Sequence, residues 1–219
     1  MTKENSKQRE NNLFVNDEII LSSFYLPPIE YIVRILNAES FKVELHENYI
    51  KQTYRNRCHI YTANGLLALS IPVHKTTGNH TLISEIEISY MDNWQANHWR
   101  AIESAYNKSP FFLYYQDDLK KFYTKTWKYL WEFNTALTEY LLKKLKQNSS
   151  INFTEDFVPI IDIEKDLRYC IHPKEESNHI VFPKYYQVFE TKHNFIPNLS
   201  IIDLLFNEGP ESLQYLKNI

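Results

Sequence analysis

A mixed α/β fold in a single domain is what this sequence predicts, and three observations lead to it. First, the apolar run Ile19 to Phe24 is followed by Ile29, Ile32, Val33 and Leu36 at helical spacing, then by Phe41, Val43 and Leu45 in alternation. Strand, helix and strand within about thirty residues is the pattern of two parallel strands joined by a right-handed crossover. Second, "HIYTANGLLALSIPV" places Asn64-Gly65 between two strand-like runs, a hairpin signal. Third, from Asp92 the apolar period changes from two to about 3.6, so a helical half follows the sheet half.

Each element has a local reason. Residues 1–16 are polar and without periodicity, a mobile tail. Pro27 and Pro28 stop the first strand, and Pro28 opens a helix with Glu30 in its first turn. In the hairpin, Asn64 and Gly65 suit a two-residue turn, and Leu67, Leu69, Ile71 and Val73 share one face of the return strand. "TLISEIEIS" reads as a further strand with Leu82, Ile86 and Ile88 inward. Asp92 and Gln95 form a capping box for a helix whose face carries Trp94, His98, Ala101, Ile102 and Ala105; Pro110 ends it. "PFFLYYQDDLKKFY" is a shorter helical segment. Trp127–Lys146 is the longest helix, striped by Leu130, Phe133, Leu137, Leu141 and Leu145. Residues 148–219 carry five prolines among short apolar runs and wrap over the domain, with a helix from Leu199 to Phe206. The expected division is 17–91 mainly sheet, 92–147 mainly helical and 148–219 a wrapping segment.

Bulk composition narrows the function classes. The chain has 219 residues, 43% apolar and 15% aromatic, enough for a sizeable core. A net charge of −3 argues against nucleic acid as a partner. Only three glycines, Gly65, Gly78 and Gly209, stand far apart, so no glycine-rich phosphate loop or dinucleotide fingerprint is possible. An anionic ligand must then be held by side chains. No transmembrane segment and no secretory leader is read, so a cytoplasmic protein with reduced Cys58 and Cys170 is expected. No metal signature links His46, His59, His74, His80 and His98, and no cofactor is indicated.

The stretch "KQTYRNRCHI" carries the site prediction. Read as a strand over 53–61, it puts Thr53, Arg55, Arg57, His59 and Tyr61 on one face, with the two guanidiniums roughly 7 Å apart. Such a pair can grip phosphates. The alternative is a solvated face paired with Glu44, Glu47, Glu85 or Glu87. Asn56 and Tyr25 would orient the ligand, with Tyr25 at the carboxyl end of the first strand, where open α/β sheets bind ligands. His74 sits in a loop that can return nearby. His98 is the candidate acid/base, against the alternative of a satisfied core histidine. Asn107 ends the same helix and either caps it or binds a hydroxyl-rich ligand. Cys58 points away from Arg57 and His59, which argues against a nucleophile.

Five stretches in order, "SFYLPPIEYI", "HENYIKQTYRNRCHI", "ANGLLALSIPV", "NWQANHWRAIESAYNKSPFF" and "FIPNLSIIDLLFNEGP", resemble the WbqC-like family, in the form found in Bacteroidetes. The resemblance runs from about Ile19 to the C-terminus. It implies a role around bacterial O-antigen and surface-polysaccharide assembly, and it supplies no reaction. The matching polar positions include Tyr25, Tyr54, Arg55, Asn56, Arg57, His98, Asn198 and Asp203. The expected partner is a phosphorylated or nucleotide-linked sugar, with transfer of a group to or from it. The alternative is an adaptor that docks a polysaccharide-biosynthesis enzyme through Tyr114, Tyr115, Trp127, Tyr185 and Tyr186.

Overall fold

A computed structural model describes residues 16–75, 77–147, 150–159, 165–175, 177 and 180–219. The polar tail expected over 1–16 lies outside these residues, except for Asn16, which opens the first strand.

The strand–helix–strand reading matches the structure. Strand β1 (Asn16–Ser22) runs parallel to β2 (Ala38–Glu44), with Ile19 beside Phe41 and Leu21 beside Val43. Helix α1 (Ile29–Asn37) joins them, opened by Pro28 and running into β2 without a loop. Its buried face holds Ile29, Tyr31, Ile32, Val33 and Ile35.

The hairpin is β3 (Arg57–Thr62) against β4 (Gly65–Ser70). The turn differs by one residue from the expectation. Thr62 pairs with Gly65, so Ala63 and Asn64 are the central residues and Gly65, at φ +93°, begins the return strand. Thr62 Oγ1 fixes this geometry by accepting from the Asn64 amide and donating to the Gly65 carbonyl. Leu69 is buried, but Leu66 and Leu67 are exposed.

The strand expected in "TLISEIEIS" is mostly replaced by a 3₁₀ turn at Ile83–Glu85. What remains is β6 (Glu87–Ile88), antiparallel to β5 (Val73–His74). Ile83, Ile86 and Ile88 are buried, a spacing that suits a turn followed by a strand.

The helical half comprises α2 (Trp94–Tyr106), α3 (Phe112–Lys120) and α4 (Leu130–Lys144). No capping box opens α2: the Gln95 amide instead donates to the Lys125 carbonyl. Every residue of the predicted α4 stripe is buried, and so is Asn134, which sits inside it.

The last segment contributes β7 (Asn152–Phe153), which adds to β2 in parallel, and a parallel bridge from Asp166 to Ile20. Three helices follow: α5 (Glu190–His193), α6 (Ile201–Glu208) and α7 (Ser212–Lys217). The sequence reading missed α7 because Pro210 marks a stop. Here Pro210 sits in the first turn of a 3₁₀ segment that leads into α7.

Gly209 makes the bend between α6 and α7. Its φ is +54°, and an added Cβ would lie 2.5 Å from the Phe111 ring. Phe111 is itself tied to the end of α6, its amide donating to the Phe206 carbonyl. Gly209→Ala is therefore expected to cost ~2 kcal/mol or more in chemical denaturation, from backbone strain and overpacking together. Phe111→Ala in the same chain should recover the overpacking share; an unchanged cost in the double variant would refute the contact as its source.

Candidate functional site

The carboxyl edge of the parallel sheet is where ligands sit in many α/β proteins. Here the protein fills that edge with its own charges. Ser22 ends β1, Glu44 ends β2, Thr154 follows β7, and Asp166 and Arg168 follow the bridge to β1. Arg55 enters from the segment before β3. Its Nε and Nη2 donate to the two oxygens of Glu47 at 3.1 and 2.7 Å, and Nη2 also reaches Ser22 Oγ at 2.8 Å. Nη1 donates to Thr53 Oγ1. Beside it, Arg168 pairs with both oxygens of Asp166 and with Glu44. Arg55, Arg168, Glu44 and Glu47 are all buried. Burial pushes the Glu44 carboxyl up, but the Val158 and His46 amides, Thr154 and Arg168 outweigh it and hold it below the usual range. The Tyr169 ring lies beside both guanidiniums, 5.8 Å from Arg55 and 5.7 Å from Arg168.

This corrects the predicted clamp. Arg55 and Arg57 do not share a strand face, because β3 begins only at Arg57. Arg55 is turned inward onto Glu47, one of the acids weighed as a surface partner, in a buried pair. Arg57 stays half-exposed and donates from Nε to Ser70 Oγ. Asn56 spends its amide on the Ile71 carbonyl, fastening β4 to the segment before β3. His74 is exposed on β5, and Asn107 is an exposed C-cap of α2.

Tyr25 and His98 are brought together, in the core. The Tyr25 hydroxyl is 2.9 Å from His98 Nδ1 and 2.8 Å from the Tyr123 hydroxyl. The imidazole also bonds to the Ser70 backbone. A carbonyl partner requires the ring proton on that side, so Nδ1 accepts from Tyr25. Trp94 and Phe133 pack around this group. Burial pushes His98 down to about 4, so it is neutral near pH 7. With both nitrogens engaged, it is the satisfied core histidine that was the alternative reading. Cys58 lies in the same core, its thiol pushed far up by burial, as an unreactive thiol should be.

An open cleft lies elsewhere, between the outer face of the hairpin and the C-terminal segment. Its volume is about 480 Å³. Alternation along β3 puts Arg57 and His59 on this outer face. His59 stands at the floor with Tyr54 edge-on at 5.7 Å. The walls are Leu66, Ile180, Phe182, Phe195 and two prolines, Pro173 and Pro197. Glu175, Ser177 and Asn198 add polar groups. Asn198, at φ +51°, faces Glu30 on α1: its amide oxygen accepts from the Glu30 amide and its nitrogen donates to the Glu30 carboxylate. Ser177 Oγ is buried with no hydrogen-bond partner among the described residues. Neither ring nitrogen of His59 has such a partner either. Burial, and then the Arg57 charge, depress the His59 pKa, so the ring is neutral and free to accept a proton. Alternation over 53–61 puts His59 on this face beside Arg57, but residue type alone does not mark it as the ring left unbonded.

A second polar core was also missed. Asp203 on α6 is buried, receives hydrogen bonds from Tyr185 at 2.6 Å and Gln187 at 3.2 Å, and is pushed up by burial to about 6. This takes Tyr185 off the expected docking surface, while Tyr114 and Tyr186 are exposed. Among the described residues no cluster of metal-ligating side chains occurs and no helix is long and apolar enough to cross a membrane.

Fold and cleft define a mixed α/β protein with a side-chain-lined cavity of small-molecule size and no glycine-built phosphate loop. The chain belongs to the WbqC-like protein family, whose model matches residues 23–181 and 174–215. It is 26% identical to the uncharacterized protein Rv1507c of Mycobacterium tuberculosis strain H37Rv, over 90% of this chain and 96% of that one. No solved structure matches it.

Two tests follow from the buried groups. Arg55→Met or Glu47→Leu alone strands the partner's charge and should each cost ~3–5 kcal/mol in urea denaturation. The double variant should cost less than the sum by at least about 1 kcal/mol; strict additivity would rule out the pair. His98 and Asp203 set opposing pH slopes. His98 falls from 6.5 to about 4 on folding, so below pH 6.5 the unfolded chain binds a proton the native one does not, and stability drops as pH falls. Asp203 rises from 3.8 to about 6, so in that window the native chain holds the extra proton and stability drops as pH rises. Each slope approaches about 1.4 kcal/mol per unit. His98→Gln should make stability fall from pH 4 to 6, and Asp203→Asn should make it climb; profiles parallel to the parent would contradict both assignments.

Proposed function

We propose that this protein binds a phosphate-bearing sugar, free or nucleotide-linked, in the cleft over His59, and that it serves bacterial surface-polysaccharide assembly. The polysaccharide context is what the family resemblance implies. The ligand class rests on the cleft. Flat aromatic and proline walls suit the faces of a sugar ring, and Glu175 and Ser177 offer partners for hydroxyls. Arg57 stands two residues before His59 on the same strand face and is the charge available for a phosphate. The observation that carries the reading is His59 itself: a half-buried, neutral imidazole at the floor of a cavity, with neither nitrogen bonded among the described residues. Such a group takes a proton from a sugar hydroxyl, the step that readies an oxygen for group transfer. Arg55, Tyr25 and His98 then act as scaffold, since their polar atoms are engaged within the protein, and Asn56 holds the Ile71 carbonyl through its amide nitrogen.

A docking role for a polysaccharide-biosynthesis enzyme is the second reading. It is favoured by Leu113 and Tyr114, side by side on α3 and 69% and 78% exposed.

A thermal-shift screen against sugar phosphates, nucleotide sugars, acyl-CoA and ATP decides between them. A ligand held at 100 times its Kd adds about 2.7 kcal/mol to stability and raises Tm. The expected hit is a sugar phosphate, lost in Arg57→Ala and His59→Gln while their unliganded melts stay near the parent's. A hit that survives both substitutions would move the ligand out of this cleft.

A further inference from the structure

The helical half carries a second cavity, remote in sequence from the hairpin and made by the α3–α4 region. Its volume is about 440 Å³, within the range of small-molecule sites. Phe122, Trp127 and Tyr140 form its aromatic lining. Lys121, Lys125, Lys143 and Lys144 surround them, with Asp118 as the one carboxylate of the lining. Four lysines around a single acid make a local positive field on a chain whose net charge is −3.

The arrangement is ordered. Asp118 bridges Lys121 at 2.8 Å and Lys144 at 2.9 Å, and these cations hold its carboxyl down at about 2. Lys125 and Lys143 have no carboxylate partner among the described residues. The indole of Trp127 is anchored: its Nε1 donates to the Phe122 carbonyl, its ring lies parallel to Phe122 within 6°, and Phe133 meets it edge-on. The Lys125 ammonium lies over the indole, 4.1 Å from the ring centre. A side chain that is exposed and held by a cation–π contact alone is readily displaced by a planar group.

We propose that this cavity binds a nucleotide, with its base stacked on Trp127 and its phosphate held by Lys125 and Lys143. Base stacking on an aromatic platform tolerates any base, and the lysines are point charges that suit a phosphate. The aromatic lining makes a bare anion an incomplete ligand. The site is separate from the cleft over His59 and does not depend on the reading given to that cleft.

Calorimetric titration of the full chain with UMP and AMP, with uridine and adenosine, and with inorganic phosphate tests this. Nucleotides should bind at least tenfold more tightly than either fragment. The double substitution Lys125→Ala, Lys143→Ala should weaken nucleotide binding tenfold or more with the melting temperature held, and Trp127→Leu should remove the preference of nucleotide over phosphate. His59→Gln should leave all of it unchanged. The proposal is overturned if phosphate binds as tightly as the nucleotides, an adventitious anion only. It is equally overturned if the lysine variant binds as the parent does, or if His59→Gln alone abolishes binding, which would assign the nucleotide to the cleft.

Discussion

The buried ion network at the carboxyl edge of the parallel sheet is the constraint on which the rest of the molecule depends. Four extended segments end there, and each hands a polar group to Arg55 or Arg168: Ser22, Glu44, Thr154 through Glu44, and Asp166. Buried charges tolerate little slack, because a lost partner leaves an uncompensated ion. Pinning Arg55 therefore fixes where β3 starts two residues later. The main chain is pinned there as well: the Arg55 carbonyl accepts from Asn134 on α4, and the Asn56 carbonyl from the Ile71 amide. The hairpin inherits its position from charges that lie outside it. The same network closes the edge where an α/β sheet would otherwise receive a ligand.

That displacement explains the contrast between two histidines. His98 and His59 both sit among aromatic rings, and both are depressed by burial. His98 is sealed: one nitrogen meets Tyr25, and the ring bonds the Ser70 backbone. His59 projects from the other side of the hairpin, where the covering layer is a proline-rich segment that leaves a gap. Residue type and pKa direction are the same. What separates a packing residue from a chemically available one is whether the ring nitrogens are already bonded.

Much of the frame was legible in the sequence because it follows from periodicity. The parallel β1–α1–β2 unit and the α4 stripe come from apolar spacing, and the hairpin from the Asn64-Gly65 pair between two strand-like runs. What failed were features set by long-range contacts. Alternation over 53–61 assumed a strand that begins at Thr53, but Thr53, Arg55 and Asn56 are held in turns by side-chain bonds to Ile50, Glu47 and Ile71. Asn134 and Asp203, both on buried helix faces, look like polar interruptions of an apolar stripe. Their partners come from 79 residues away for Asn134 and 18 for the Tyr185 bond to Asp203, a separation no local pattern reports. For the cleft a weak signal existed: Arg57 and His59 in alternation, followed by a strand whose Leu66 falls on the same face as them with no evident cover. An unclaimed apolar residue on a polar strand face is what a covering segment would need.

The C-terminal segment is that cover, and its fastening explains why a cleft persists there. It is tied at its ends rather than along its length. The Ser200 amide donates to the His59 carbonyl and the Ile201 amide to the Pro27 carbonyl, while Asn198 grips Glu30. Upstream, Tyr61 bonds the carbonyls of Phe189 and Asn194, and Lys192 and His193 both reach Ala63. Pro197, between these anchors, and Pro173, upstream of them, line the cleft and carry no amide proton with which to pair β3 or β4. A strap fixed at these points and stiffened by Pro173 and Pro197 arches over the strand face, and the cavity lies beneath it.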